Sequence, residues 1–157
     1  MRQTFDRRSV LGLAVGSAAG AVLVSSARPT FAAGTAYKAA LDGKSEVPPT
    51  TSSGTGTATV TYDPATKTVT WEGSFSGLSG AATAAHIHGP AEAGKNAGVI
   101  VPLSQAGTPF TSPFKGSATL ADDKAAALAA ALSSGQAYVN VHTAANPGGE
   151  VRGQLKS

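Results

Sequence analysis

Turn signals recur at short, regular spacing from residue 38 to residue 155, and this punctuation limits the fold more than any other feature of the chain. Val47-Pro48-Pro49, Asp63-Pro64, Gly77-Leu78-Ser79-Gly80, Gly89-Pro90 and Asn146-Pro147-Gly148-Gly149 each interrupt the chain with residues that favour turns. Most segments between them are too short for helices and carry the Thr- and Val-rich alternation of strands. Residues 55–62 (TGTATVTY) and 67–75 (KTVTWEGSF) read as the two arms of a β-hairpin across Asp63-Pro64. Further strands are expected over 38–46, 81–88, 98–103, 114–120, 136–142 and 150–155. Residues 121–132 depart from the pattern. Asp122 and Asp123 open that stretch, where a helix dipole favours anions, Ala and Leu fill it, and Ser133-Ser134-Gly135 ends it. The expectation is an all-β fold, an antiparallel sandwich with one short connecting helix.

The first 33 residues have a different composition. Arg2, Arg7 and Arg8 precede an uncharged apolar run, SVLGLAVGSAAGAVLV, and small residues follow at Ala32-Ala33. Basic, apolar, small is the order of a secretory signal. The pair Arg7-Arg8 before Ser9-Val10-Leu11 resembles the twin-arginine pattern, in which a receptor passes folded cargo. The apolar run, roughly 16 residues interrupted by glycines, is shorter than the ~20 a spanning helix needs, so cleavage after Ala32 or Ala33 fits better than a retained anchor. Arg7 and Arg8 are thus expected to be the recognition residues of an export signal, residues 1–33, followed by one domain over 34–157. An extracytoplasmic location follows, in the periplasm, at the cell surface or secreted.

Removing the signal changes what the charge means. Four of the 12 basic residues and one of the 9 acidic residues lie in it, leaving eight of each. The basic balance therefore belongs to the leader, and no basic stripe remains to follow a phosphate backbone, which argues against nucleic acid as a partner. The chain has no cysteine, so thiolate chemistry and cysteine metal sites are excluded. A domain of this length can bury a core without disulfides.

The three histidines carry the chemistry. His86 and His88 flank Ile87 at the end of one expected strand, and side chains at i and i+2 share a face. His142 ends another, with Tyr138 and Asn140 on its face and Val139 and Val141 on the other. If the two strands are neighbours, three imidazoles converge at one end of the fold as a metal site. Imidazole suits copper, zinc, iron or nickel. Binding needs the rings neutral, so affinity should fall as pH drops below about 6.5. Asn140, Glu150 and Arg152 are expected beside the imidazoles, with Glu150 either orienting one of them or pairing with Arg152.

Two runs carry a family resemblance. Ala84-Ala85-His86-Ile87-His88-Gly89-Pro90 and Tyr138-Val139-Asn140-Val141-His142-Thr143-Ala144-Ala145-Asn146-Pro147-Gly148-Gly149-Glu150-Val151-Arg152-Gly153-Gln154-Leu155 resemble the two signature blocks of the CHRD domain. The likeness covers about 38–155. The family implies a secreted module, found in bacteria as single copies and in chordin as repeats that belong to a growth-factor-binding protein; many members carry no assigned activity. The spacing of His86, His88 and His142 also resembles that of the copper ligands of copper/zinc superoxide dismutase. That likeness implies an immunoglobulin-like or superoxide-dismutase-like sandwich and one copper ion, with zinc less favoured. The chain departs from it in lacking a bridging fourth histidine, the zinc loop and the disulfide cysteines.

Three functions are consistent with these features. The leading one is a non-catalytic domain holding one metal ion, copper favoured, through His86, His88 and His142. The alternatives are a minimal copper-dependent dismutase and a structural or adhesion module that binds no metal and meets an extracellular protein or polysaccharide. No Ser-His-Asp arrangement, phosphate-cradling glycine loop or carboxylate pair supports a hydrolase.

Overall fold

The computed structural model describes residues 34–105 and 110–157, and the expected export signal with Arg7 and Arg8 lies outside the described residues. The hairpin foreseen from the alternation is formed by β2 (Thr55–Asp63) and β3 (Thr68–Ser76), in register from Thr55 opposite Ser76 to Asp63 opposite Thr68. Its turn closes on Asp63, whose carboxylate accepts the Ala65 N–H and the Thr66 hydroxyl, each at 2.9 Å. Lys67 completes the reversal at φ 53°, a left-handed conformation that costs a non-glycine residue roughly 1 kcal/mol. On β2 the period of two is plain: Ala58, Val60 and Tyr62 are buried while Thr57, Thr59 and Thr61 face outward.

Strand β1 (Thr35–Asp42) lies earlier than the sequence suggested. The physical reason is Asp42, whose side chain accepts the Ser45 N–H at 2.8 Å and caps a 3₁₀ turn over Gly43–Ser45. Gly43 also approaches Thr50 closely, its carbonyl accepting the Thr50 N–H at 2.9 Å. The chain therefore leaves the sheet four residues before Glu46, the expected end.

The remaining elements are β4 (Ala82–His88), β5 (Val99–Pro102), β6 (Phe114–Thr119), α1 (Asp122–Ser133), β7 (Tyr138–Thr143) and β8 (Val151–Gln154). All eight strands belong to one antiparallel sheet in the order β5-β4-β7-β8-β1-β2-β3-β6. This bears out the expected all-β fold with one short helix. Strand β8 pairs with both β7 and β1 and so links the strands into one continuous, curled sheet. The joint is narrow, a single register pair of Asp42 with Arg152 supported by the backbone bonds between Lys38 and Lys156. The sheet curls over one hydrophobic cluster to which every strand and α1 contribute.

Helix α1 lies against this cluster through its buried residues Ala125, Leu128, Ala131 and Leu132. Full burial of Leu128 contributes roughly 1.5–3 kcal/mol. The helix ends where Gly135 takes φ 68° and the Gln136 N–H reaches the Ala131 carbonyl at 2.8 Å. None of the helices among the described residues is long and apolar enough to cross a membrane.

Candidate metal centre

Strand β7 is buried on both faces, and this positions the site. Val139 and Val141 point into the core, while Tyr138, Asn140 and His142 point to the opposite face of the sheet. That second face is covered by loops. Asn96 donates to the Val47 carbonyl at 2.9 Å, Gln154 reaches the Ala91 carbonyl at 3.1 Å, and the turn at 144–149 folds over His142. Polar side chains here are thus withdrawn from water although they do not face the hydrophobic core.

Strand β4 lies beside β7, with His86 opposite Asn140, His88 opposite Tyr138 and Ala84 opposite His142. On the other side of β4, the pairing with β5 slips between Ile87 and His88, where Ile87 meets Val101 and His88 meets Val99. The additional β5 residue, Ile100, is buried in the core, and β4 keeps its own alternation through the slip. His86 and His88 consequently stay on one face, and the strands bring all three histidines together. One ligand-capable atom from each lies within 4.8 Å of the others.

The hydrogen bonds fix the tautomers of two rings. His142 Nδ1 lies 3.0 Å from the Pro147 carbonyl oxygen, and His88 Nδ1 lies 2.9 Å from that of Ala97. A carbonyl only accepts, so both Nδ1 atoms carry the proton and both Nε2 atoms present a lone pair. His86 Nδ1 and His142 Nε2 are 3.0 Å apart, a bond in which His86 is the donor. His88 Nε2 is buried without any hydrogen-bond partner. A buried acceptor with no donor costs about 1–3 kcal/mol, and a cation at this point offsets that cost.

Burial keeps the rings neutral. Desolvation, followed by the proximity of His142 and His88, lowers the pKa of His86 to about 4. Desolvation likewise lowers those of His88 and His142, against the opposing effect of the bonds to Ala97 and Pro147. The free-imidazole value used for the sequence expectation is therefore too high for these sites. At neutral pH the lone pairs are available to a metal, the condition for imidazole ligation.

Around the rings the residues take roles the sequence did not specify. Tyr138 stacks on His88 with centroids 4.9 Å apart and planes 5° from parallel, and the Arg152 guanidinium carbon lies 3.4 Å from the Tyr138 centroid. Since β7 runs between β4 and β8, the tyrosine ring is held between the imidazole and the cation. Arg152 is 1% exposed and donates to Asn96 Oδ1, the Glu92 carbonyl and Gln154 Oε1. Glu46 is also buried beneath these loops, and burial pushes its carboxyl pKa up against the effects of the Val47 N–H, Arg152 and Asn140.

Glu150 neither orients an imidazole nor pairs with Arg152, among the described residues. Its Oε1 accepts from Ser52 Oγ and the Ser79 N–H, each at 2.6 Å. Its Oε2 accepts from Ser79 Oγ at 2.6 Å, from Thr143 Oγ1 and from Asn146 Nδ2 at 3.1 Å. The alternation across Val151 that suggested a shared face with Arg152 does not extend to Glu150, because β8 begins only at Val151. Sequence reasoning also missed Glu46, and it placed Tyr138 on the histidine face without a role there. That placement followed from the strand period, two and four residues before Asn140 and His142, whereas Glu46 left no such signal.

No curated protein and no solved structure matches the chain. The CHRD domain family matches over residues 37–155, most of the chain and all of the strands that carry the histidines. The two histidine-bearing blocks that pointed to this family from sequence are β4 with its following turn and β7 through β8, the strands that build the centre. The chain belongs to the CHRD domain family.

Proposed function

We propose that this protein is an exported CHRD domain that binds one transition-metal ion, copper favoured, through His86, His88 and His142, and that it holds the metal without catalysing a reaction. The observation that carries this reading is the buried, partnerless Nε2 of His88 beside the His86–His142 pair. Metal–nitrogen bonds near 2.0–2.1 Å place ligating nitrogens roughly 3–3.5 Å apart. The His86–His142 separation of 3.0 Å already lies in that range, and the third histidine offers a nitrogen within 4.8 Å of them. The two outer bonds, to Ala97 and Pro147, hold the rings from behind as they ligate. Three imidazoles suit copper and zinc alike, and copper is favoured by the likeness of the histidine spacing to copper ligands.

Purified protein lacking residues 1–33 is titrated with Cu²⁺ and with Zn²⁺, then again as His86→Ala and His142→Ala. One equivalent should bind to the parent protein, and each variant should lose at least about 100-fold in affinity, since two imidazoles remain where three held the ion. Unchanged stoichiometry and affinity in both variants rules the site out. Loading with Cu²⁺ and assaying superoxide dismutation separates holding from turnover, with a rate no higher than that of free copper expected.

A further inference from the structure

Three buried acceptor atoms around the β4–β7 pair have no donor: His88 Nε2, Asn140 Oδ1 and, beneath the loops, Glu46 Oε1. Asn140 is 3% exposed. It lies on β7 two residues before His142 and on the same face, directly opposite His86 on β4 and opposite Arg152 on β8. Its side chain also lies beside His88. It is therefore bordered by all three histidines.

The direction of its amide follows from its other neighbour. A Cβ at Gly149 would come within 2.8 Å of Asn140 Nδ2 and would collide with Glu46 Oε1, so nitrogen and carboxylate share the space that this glycine leaves open. Reversing the amide would set its oxygen against the carboxylate. The Nδ2 group thus belongs on the Glu46 side, and Oδ1 turns away from it toward the imidazoles.

That orientation leaves an unusual balance of protons. His88 Nε2, His142 Nε2 and Asn140 Oδ1 all present lone pairs, and the one proton among them is that of His86 Nδ1, given to His142. Two acceptors side by side cannot bond to each other. One cation satisfies both.

We propose that Asn140 Oδ1 supplies a fourth donor, an oxygen, to the metal held by His86, His88 and His142, with Glu46 orienting its amide. The inference rests on the three-histidine reading above. It changes the chemistry of the centre, because an amide oxygen is harder than imidazole nitrogen. A set of three nitrogens and one oxygen suits Cu²⁺ or Zn²⁺ and disfavours Cu⁺.

The test is electron paramagnetic resonance of the protein loaded with one equivalent of Cu²⁺, together with the Cu²⁺ affinity, in the parent and in Asn140→Ala and Asn140→Asp. Alanine should keep one copper per chain, weaken it roughly 10-fold or more, and shift the parallel g value and the copper hyperfine splitting. Aspartate restores an oxygen donor, so its affinity should equal or exceed that of the parent. A parent-like spectrum and affinity in Asn140→Ala overturns the fourth donor and leaves the histidine site standing. A parent protein that binds no copper overturns both. If the alanine variant does not fold, Asn140→Asp decides: a copper spectrum and affinity identical to the parent's would show that the new carboxylate does not touch the metal and would overturn the proposal.

Discussion

At the scale of single residues, the buried carboxylate of Glu150 ties stability to pH. Burial alone would raise its pKa, but the hydrogen bonds from Ser52, Ser79 and Thr143 outweigh desolvation and bring it down to about 2. In the unfolded chain the group titrates near 4.5. Between those values the unfolded state binds more protons than the folded one, so stability rises with pH. The contribution is present above pH 4.5 and is lost as pH falls toward 2, and it amounts to about 3 kcal/mol. Urea unfolding of the parent and of Glu150→Gln at pH 7, 4 and 3 should show the parent losing more stability with acid. Identical acid slopes would refute the assignment. Copper affinity at pH 7 should be unchanged by this substitution, since the carboxylate binds Ser and Thr groups rather than an imidazole. Ser52 and Ser79 lie 98 and 71 residues from Glu150 along the chain, which is why this network left no local pattern to read.

At the scale of elements, the strands and the helix were legible because each rests on a short-range cause: alternation in β2 and β3, Asp-Pro at their turn, paired aspartates at the start of α1. The end of β1 was misread because Asp42 stops the strand through its own side chain, four residues before the proline-rich turn that drew attention. The histidines were legible because i and i+2 on a strand share a face whatever the register. Their meeting required β4 and β7 to be neighbours, which sequence left open. The joint between β8 and β1 could not be read, since it is so narrow. Gly153 stands at that joint, where an added Cβ would collide with the Ala40 carbonyl. Gly153→Ala should destabilise the domain by about 1–3 kcal/mol through forced separation of the two strands. Gly80→Ala, where an added Cβ meets nothing within 4 Å, should stay within about 0.5 kcal/mol. Thermal unfolding of both variants makes the comparison. Equal stabilities would show that the joint tolerates spreading.

At the scale of the whole molecule, the first 33 residues and the domain that follows differ in composition. Residues 1–33 hold the excess positive charge, while the domain that follows is balanced in charge and free of cysteine. We therefore expect the chain to be exported after folding. Replacing Arg7-Arg8 by Lys-Lys should leave unprocessed protein inside the producing cell, and the exported parent should begin just after Ala32 or Ala33. Cell fractionation and N-terminal sequencing read both outcomes. Export of the Lys-Lys variant at the parent's level would reject the twin-arginine route.

The strand order has a consequence for synthesis. β8 sits between β7 and β1 in the sheet, yet it is the last of the eight strands to leave the ribosome. Until residues 151–155 emerge, β7 and β1 each present an open edge, the kind of surface on which nascent chains aggregate. Without β8, the strands β5-β4-β7 and β1-β2-β3-β6 are two unjoined half-sheets, each with an exposed edge, rather than a nearly finished domain.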